Sequence, residues 1–139
     1  MKIKYNMELM GLMNIFQQTT RANLKDCFID SNSLLTFVVE QNEIGRAIGR
    51  NAINIKMLEK AFNRKIKIIE YNPELERFIE NLIYPLKVMS VTVQEDTIIL
   101  EPTDSKTRGY LIGRSASNLR NYEEIVKRYF DNIKEIKVV

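Results

Sequence analysis

The sequence of 139 residues has no histidine and only one cysteine. The lack of histidine excludes the usual zinc sites and the histidine-dependent catalytic triads, and the lone Cys27 cannot form an internal disulfide. No acidic cluster accompanies a glycine-rich turn, and no such turn ends in the Gly-Lys-Ser/Thr of a nucleotide-binding loop. We therefore predict a protein that is not an enzyme, without catalytic residues, cofactor, metal ion or small-molecule substrate, and with Cys27 as a core residue.

Long apolar runs are missing as well. No run approaches the roughly 18 residues that a membrane-spanning helix needs, and residues 1–4 lack the apolar core of a secretion signal. Since 45% of the residues are apolar and 28% are charged, the composition is typical of a folded globular protein. We expect a cytoplasmic protein with no membrane partner.

The most informative feature present is an internal repeat. Residues 45–60 return as residues 109–124 with seven identities in sixteen positions. Such self-similarity indicates two copies of one structural module, and each copy would have about 65 to 70 residues, a small but feasible size for a folded unit. We expect one module over residues 1–71 and the other over residues 72–139. The identical positions are Gly45/Gly109, Ile48/Ile112, Gly49/Gly113, Arg50/Arg114, Ala52/Ala116, Asn54/Asn118 and Glu59/Glu123.

Positive charge concentrates around the repeated segment. Residues 1–70 carry eleven Lys or Arg against seven Asp or Glu, whereas residues 71–139 carry ten against eleven. Arg50 and Arg114 directly follow a glycine in both copies, where a backbone turn would direct the side chain outward. Most charge runs are solvated helix faces, but for these two arginines we favour contact with phosphate.

Sequence patterns predict the same order of elements in both halves. Asn6 is a good cap for a first helix, in which Leu9, Leu12, Met13 and Phe16 form a core-facing stripe. Asn72 and Pro73 would begin the helix of the second half. Helices are predicted at about 7–18, 41–48, 52–63, 73–84, just before Gly113 and at 116–130, and strands at 24–30, 34–39, 66–69, 87–94, 97–101 and 133–138.

A short helix, a glycine turn and a second helix beside three strands resemble the KH domain. Its Ile-Gly-Lys-x-Gly-x-x-Ile-Lys core is similar to Ile-Gly-Arg-Asn-Ala-Ile-Asn-Ile-Lys at 48–56 and Ile-Gly-Arg-Ser-Ala-Ser-Asn-Leu-Arg at 112–120. A helix and two strands precede each motif, which is the type II, prokaryotic order. The predicted fold class is therefore α+β, with two tandem type II KH domains. Over almost the whole chain this arrangement resembles the archaeal NusA-like transcription factors.

The resemblance implies binding of single-stranded RNA, which the KH turn holds through its backbone, and a role in transcription termination or antitermination. RNA polymerase is a second candidate partner. An alternative is a non-enzymatic scaffold whose altered turns have lost RNA binding and which docks on RNA polymerase or on a ribosomal or RNA-processing complex. The expected RNA-binding residues are Arg46, Gly49, Arg50, Asn51, Ala52, Ile53 and Lys56 in the first copy and Gly113, Arg114, Ser115, Ala116 and Arg120 in the second.

Both copies depart from the family pattern at the fourth turn position, where Ala52 and Ala116 replace glycine. Because these residues should open a right-handed helix, we expect alanine to fit without strain. Gly45 and Gly109 are expected to permit close packing. Asn54 and Asn118 could contact a base or sugar or form a local cap. Ile53 is the better candidate for an exposed groove wall, while Ile44, Ile48, Ile55, Ile112 and Leu119 could equally belong to the core.

Overall fold

A computed structural model describes residues 5–139, so the residues used above to judge a secretion signal lie outside the described part. Within residues 5–139, no helix combines the length and apolarity needed to cross a membrane. The chain forms two compact units, the first ending at Asn72 and the second beginning at Pro73.

The first unit follows the predicted order of elements. Its sheet has the strand order β1-β2-β3, with β1 and β2 antiparallel and β2 and β3 parallel. A parallel neighbour requires a crossover connection, which the two helices of the repeated segment supply. The elements are α1 (Met7–Thr20), β1 (Leu24–Ile29), β2 (Leu35–Val39), α2 (Ile44–Ile48), a 3₁₀ turn (Arg50–Ala52), α3 (Ile53–Phe62) and β3 (Ile66–Glu70).

Local signals explain where these elements begin. The Asn6 side chain accepts a hydrogen bond from the Leu9 amide at 2.8 Å, so the predicted cap of α1 is confirmed. The hairpin between β1 and β2 turns at Asp30, whose carboxylate accepts from the Leu34 amide at 2.9 Å. Helix α2 begins later than predicted because Asn42 has a positive φ of 69°, which a right-handed helix cannot include.

The core of the first unit lies between the helices and one face of the sheet. The ring of Phe16 stacks on Phe37 with centroids 4.3 Å apart, and Leu58 of α3 is fully buried in the same cluster. The predicted stripe of α1 is thereby confirmed, since Leu9, Leu12 and Met13 also pack on this cluster. Cys27 is fully buried there too.

The second unit repeats this architecture, so the predicted α+β fold class is confirmed. Its sheet has the order β4-β5-β6, again with one antiparallel and one parallel pairing. In its core, the rings of Phe78 and Tyr129 form a T-shaped pair with centroids 5.5 Å apart. The elements are α4 (Leu75–Ile83), β4 (Val88–Gln94), β5 (Thr97–Pro102), α5 (Ser105–Ile112), a 3₁₀ turn (Arg114–Ala116), α6 (Ser117–Tyr129) and β6 (Glu135–Val138).

The predicted start of α4 is wrong. The helix begins at Leu75, with Glu74 at its N-cap position and no side-chain bond from that residue, so Pro73 is not the first helical residue. The first helical hydrogen bond runs from the Phe78 amide to the Glu74 carbonyl at 3.0 Å. The helix thus starts at the first residue of its apolar face, whose burial supplies most of the stability of a short helix.

Candidate nucleic-acid interface

The bend between α2 and α3, residues 49–52, is called the first turn. Gly49 has φ 76° and ψ 170°, a conformation that a side chain disfavours. Asn51 and Ala52 follow with φ of 55° and 58°. Two successive left-handed residues reverse the chain, so that α3 can start at Ile53 and run back beside α2.

The bend between α5 and α6, residues 113–116, is called the second turn and has nearly the same backbone. Gly113 has φ 74°, and Ser115 and Ala116 have φ of 54° and 62°. The expectation that Ala52 and Ala116 are right-handed is therefore wrong. Both precede the helix rather than open it, and left-handed backbone costs an alanine about 1–2 kcal/mol.

An asparagine side chain fixes each turn from the following helix. The Asn54 amide nitrogen Nδ2 donates to the Arg46 carbonyl oxygen at 3.0 Å, and Asn118 Nδ2 donates to the Tyr110 carbonyl oxygen at 2.9 Å. These bonds join the two helices on either side of the bend. Asn54 and Asn118 therefore each form a hydrogen bond across the bend within the protein, which we call the asparagine brace.

The same asparagines explain why each turn begins with glycine. A Cβ atom at Gly49 would lie 2.9 Å from Asn54 Nδ2, and one at Gly113 would lie 2.7 Å from Asn118 Cγ. Both distances are too short for non-bonded atoms. The glycines are thus required by the brace as well as by their positive φ.

The first turn has two exposed residues whose amides have no backbone partner. Arg50 and Asn51 are exposed. The Ala52 amide donates to the Gly49 carbonyl at 3.2 Å, whereas the Arg50 and Asn51 amides have no backbone acceptor among residues 5–139. These amides lie at the start of α3, where the helix dipole is positive. Exposed amides at this end of a helix favour an anion such as phosphate.

Basic side chains around the first turn are largely available. In the described part of the chain, Arg50 and Lys56 form no ion pair. Arg46 lies 3.7 Å from the Glu43 carboxylate, and its side chain remains 62% exposed. Lys65 lies at the same distance, 3.7 Å, from the Glu59 carboxylate, and its side chain remains 86% exposed.

Lys67 differs from these residues because it lies half-buried on β3. Burial lowers the pKa of Lys67, and the charge of Asp30 partly opposes that change. Lys67 therefore does not belong to the exposed basic group around the first turn.

At the second turn, fewer of the positions equivalent to Arg46, Arg50 and Lys56 carry an available cation. Arg114 is exposed and forms no ion pair within residues 5–139. Arg120, which corresponds to Lys56, donates from Nη1 to Glu123 Oε1 at 2.7 Å, and this bond and the carboxylate charge raise its pKa. Glu123 also accepts from the Ile136 amide at 2.8 Å and so fixes the start of β6. Part of the Arg120 charge is therefore already compensated inside the protein.

The apolar residues near the turns differ between the units. Ile53 is 53% exposed beside the first turn, as expected for a groove wall. Its counterpart beside the second turn is Ser117, and there the exposed apolar side chain is Tyr110 at 54%. Tyr110 was not among the residues predicted from the sequence. The signal that could have identified it is the difference between the two copies of the repeat, which have Arg46 and Tyr110 at the same position. The remaining candidates are half-buried or buried: Ile44, Ile48, Ile55, Ile112 and Leu119.

The packing role expected for Gly45 and Gly109 is wrong. A Cβ atom at either position would have no neighbour within 4 Å among the atoms described. Both glycines are exposed on the helix that precedes the turn, four residues before Gly49 and Gly113. Their small size leaves open surface next to each turn instead of permitting helix packing.

Comparison with known proteins gives consistent results. A family model described as KH domain matches residues 13–96. A protein of Methanococcus vannielii named "Probable transcription termination protein NusA" is 32% identical, and the match covers 100% of this chain and 81% of that protein. A protein of the same name from Halobacterium salinarum is 30% identical over 94% of this chain and 95% of its own length. A crystal structure described as APE1850 superposes with a TM-score of 0.77 at 26% identity, covering 97% of this chain and 100% of the other.

Proposed function

The chain belongs to the KH domain family and is a NusA-like archaeal protein, and on that premise we propose that it binds single-stranded RNA as a transcription termination factor. We propose that it acts without catalysis and in the cytoplasm. The two compact units are taken as the two RNA-binding domains. The observation that carries the proposal is the duplicated exposed turn with matching left-handed backbone.

Each turn supports phosphate binding in the same way. Gly49 and Gly113 have no side chain, so an RNA backbone can approach closely. Exposed amides and the positive end of a helix dipole then favour the phosphate. Arg50 and Arg114 add a full charge at the same point of each turn. The proposed surface also includes Arg46, Asn51, Ala52, Ile53 and Lys56 at the first turn and Ser115, Ala116 and Arg120 at the second.

The first turn is proposed to dominate affinity. Arg46, Arg50 and Lys56 contribute exposed positive charge there, whereas the second turn has Tyr110 in place of Arg46 and a paired Arg120 in place of Lys56. Binding of a polyanion depends mainly on the number of phosphates that are neutralised. The difference in cations at these equivalent positions therefore predicts unequal contributions from the two turns.

Charge reversal tests this proposal directly. Arg50→Asp should weaken binding of a short unstructured RNA about 10- to 100-fold, the range for loss of a hydrogen bond to a charged group, and Arg114→Asp should cause a smaller loss. If each turn neutralises two or three phosphates, the logarithmic salt slope should be about −1.5 to −2 per turn. Fluorescence titration over a series of salt concentrations measures both quantities.

Lys60→Asp is the matched control, because it changes the net charge equally but lies about 10 Å further along α3. It should have a much smaller effect than Arg50→Asp. Equal losses from Arg50→Asp and Arg114→Asp would contradict the unequal contributions. Absence of saturable RNA binding by the unmodified protein would contradict the proposed function and favour a scaffold.

Docking on RNA polymerase is the second candidate function. It is favoured by the relatives that are named as transcription termination proteins. A chain with both Arg50→Asp and Arg114→Asp separates the two functions. If polymerase is contacted through another surface, this double variant should retain polymerase in a pull-down from nuclease-treated extract while losing RNA. Loss of both together would indicate that any association with polymerase depends on RNA.

A further inference from the structure

Tyr110 is the feature of the second unit that the proposed phosphate contacts leave unexplained. Its side chain is 54% exposed, and within residues 5–139 it has no hydrogen bond or ring contact. A single exposed aromatic residue is common on protein surfaces. Tyr110 differs because the repeat fixes its position relative to the turn.

The position of Tyr110 is equivalent to that of Arg46. Each residue lies three positions before the glycine that begins a turn, and each carbonyl oxygen accepts the asparagine brace, at 2.9 Å for Tyr110 and 3.0 Å for Arg46. Residues three apart share a helix face, so the ring lies within one helical turn, about 5 Å along the axis, of Gly113. A phosphate on the second turn would therefore place the adjacent nucleotide within reach of the ring.

The surroundings of Tyr110 favour a nucleic-acid base as its partner. Lys106, Arg108 and Arg114 are exposed on the same helix and turn, and none of them forms an ion pair in the described part of the chain. The preceding residue, Gly109, leaves open surface on this helix, since a Cβ atom there would meet no atom within 4 Å outside its chain neighbours and its own helix. An exposed aromatic ring near exposed positive charge is the combination on which single-stranded nucleic acids stack their bases.

From these observations, and resting on the proposed RNA binding, we infer that Tyr110 is a base-stacking residue of the second turn. The two units then hold RNA differently. The first turn relies on charge from Arg46 and Lys56, whereas the second turn, with Arg120 paired to Glu123, relies on stacking. Contact with the second turn consequently depends on the bases as well as on the phosphates.

The experiment uses the full chain with Arg50→Asp, so that the second turn dominates the measured affinity. In this background, Tyr110→Ala should weaken binding of an oligouridylate about 5- to 150-fold, the range for loss of one stacked base, while Tyr110→Phe should bind as the parent does. Tyr110→Arg should recover affinity but with a steeper salt slope, because it replaces stacking by charge. Circular dichroism melts establish that each variant is folded.

An abasic oligomer of the same length identifies the contact as stacking. The Arg50→Asp chain, which retains Tyr110, should bind the abasic oligomer more weakly than the oligouridylate. The chain that also carries Tyr110→Ala should bind the two oligomers alike. The inference is overturned if Tyr110→Ala binds as its parent does, if Tyr110→Phe loses as much as Tyr110→Ala, or if the Arg50→Asp chain binds no RNA although the unmodified protein does. Failure of the unmodified protein to bind RNA at all would instead refute the proposed function.

Discussion

Replacing Ala52 by glycine should stabilise the first unit, although glycine normally destabilises the region around a helix. Ala52 has φ 58° and ψ 30°, which is left-handed backbone. This conformation costs an alanine about 1–2 kcal/mol, and glycine adopts it freely. The greater freedom of glycine in the unfolded chain offsets about 0.5–1 kcal/mol of that gain. The expected net effect is an increase of about 0.5–1 kcal/mol in the free energy of unfolding.

Ala61→Gly is the matched control for this substitution. Ala61 is exposed in the right-handed part of α3, so the same change there should lower the free energy of unfolding by about 0.5–1 kcal/mol. Urea titration followed by circular dichroism measures both variants, and a change of this size should also move the melting temperature by a few degrees. The reasoning is refuted if Ala52→Gly and Ala61→Gly destabilise the protein by similar amounts.

Two further predictions follow from the glycines and from the cap of α5. Gly45→Ala should raise the free energy of unfolding by about 0.5–1 kcal/mol, because Gly45 is helical with open space around it. The same change should weaken RNA binding, and unchanged affinity would show that RNA does not use the surface at Gly45. Asp104 caps α5 by accepting from the Thr107 amide at 2.7 Å, and this bond lowers its pKa. The ionised Asp104 carboxylate therefore stabilises the folded protein fully above the pKa of Asp104 in the unfolded chain, about 3.9. This stabilisation is lost as the pH falls through the lower pKa of Asp104 in the folded protein. Asp104→Asn should keep the cap but remove this pH dependence, whereas Asp104→Ala should lose the cap at every pH; urea titrations at several pH values distinguish them.

The sequence was sufficient for the architecture because several independent local signals agreed. The repeat indicated two modules, helical periodicity identified Phe16 as a core residue, and Asn6 marked the start of α1. Each of these signals depends on residues close together in the chain or on direct self-similarity. The signal at Asn72 and Pro73 was less successful, because it placed the start of α4 two residues too early.

The candidate site was harder to predict because its geometry depends on backbone angles and on contacts across the bend. An alanine in the sequence does not reveal a left-handed φ, so Ala52 was expected to be helical. The hydrogen bond from Asn54 to Arg46 joins residues eight positions apart, and it becomes visible only when both helices are in place. Tyr110 was likewise missed, because exposure beside a turn is a property of the folded chain.

The asparagine brace has a consequence for the thermodynamics of recognition. A hydrogen bond that spans each bend restricts the bend before any ligand arrives. A loop that is already ordered loses little conformational entropy on association, so more of the favourable contact energy remains as affinity. Such preorganisation would let a small contact area of a few nucleotides suffice. It also explains why an unfavourable alanine conformation can persist there, since the surrounding bonds hold it in place.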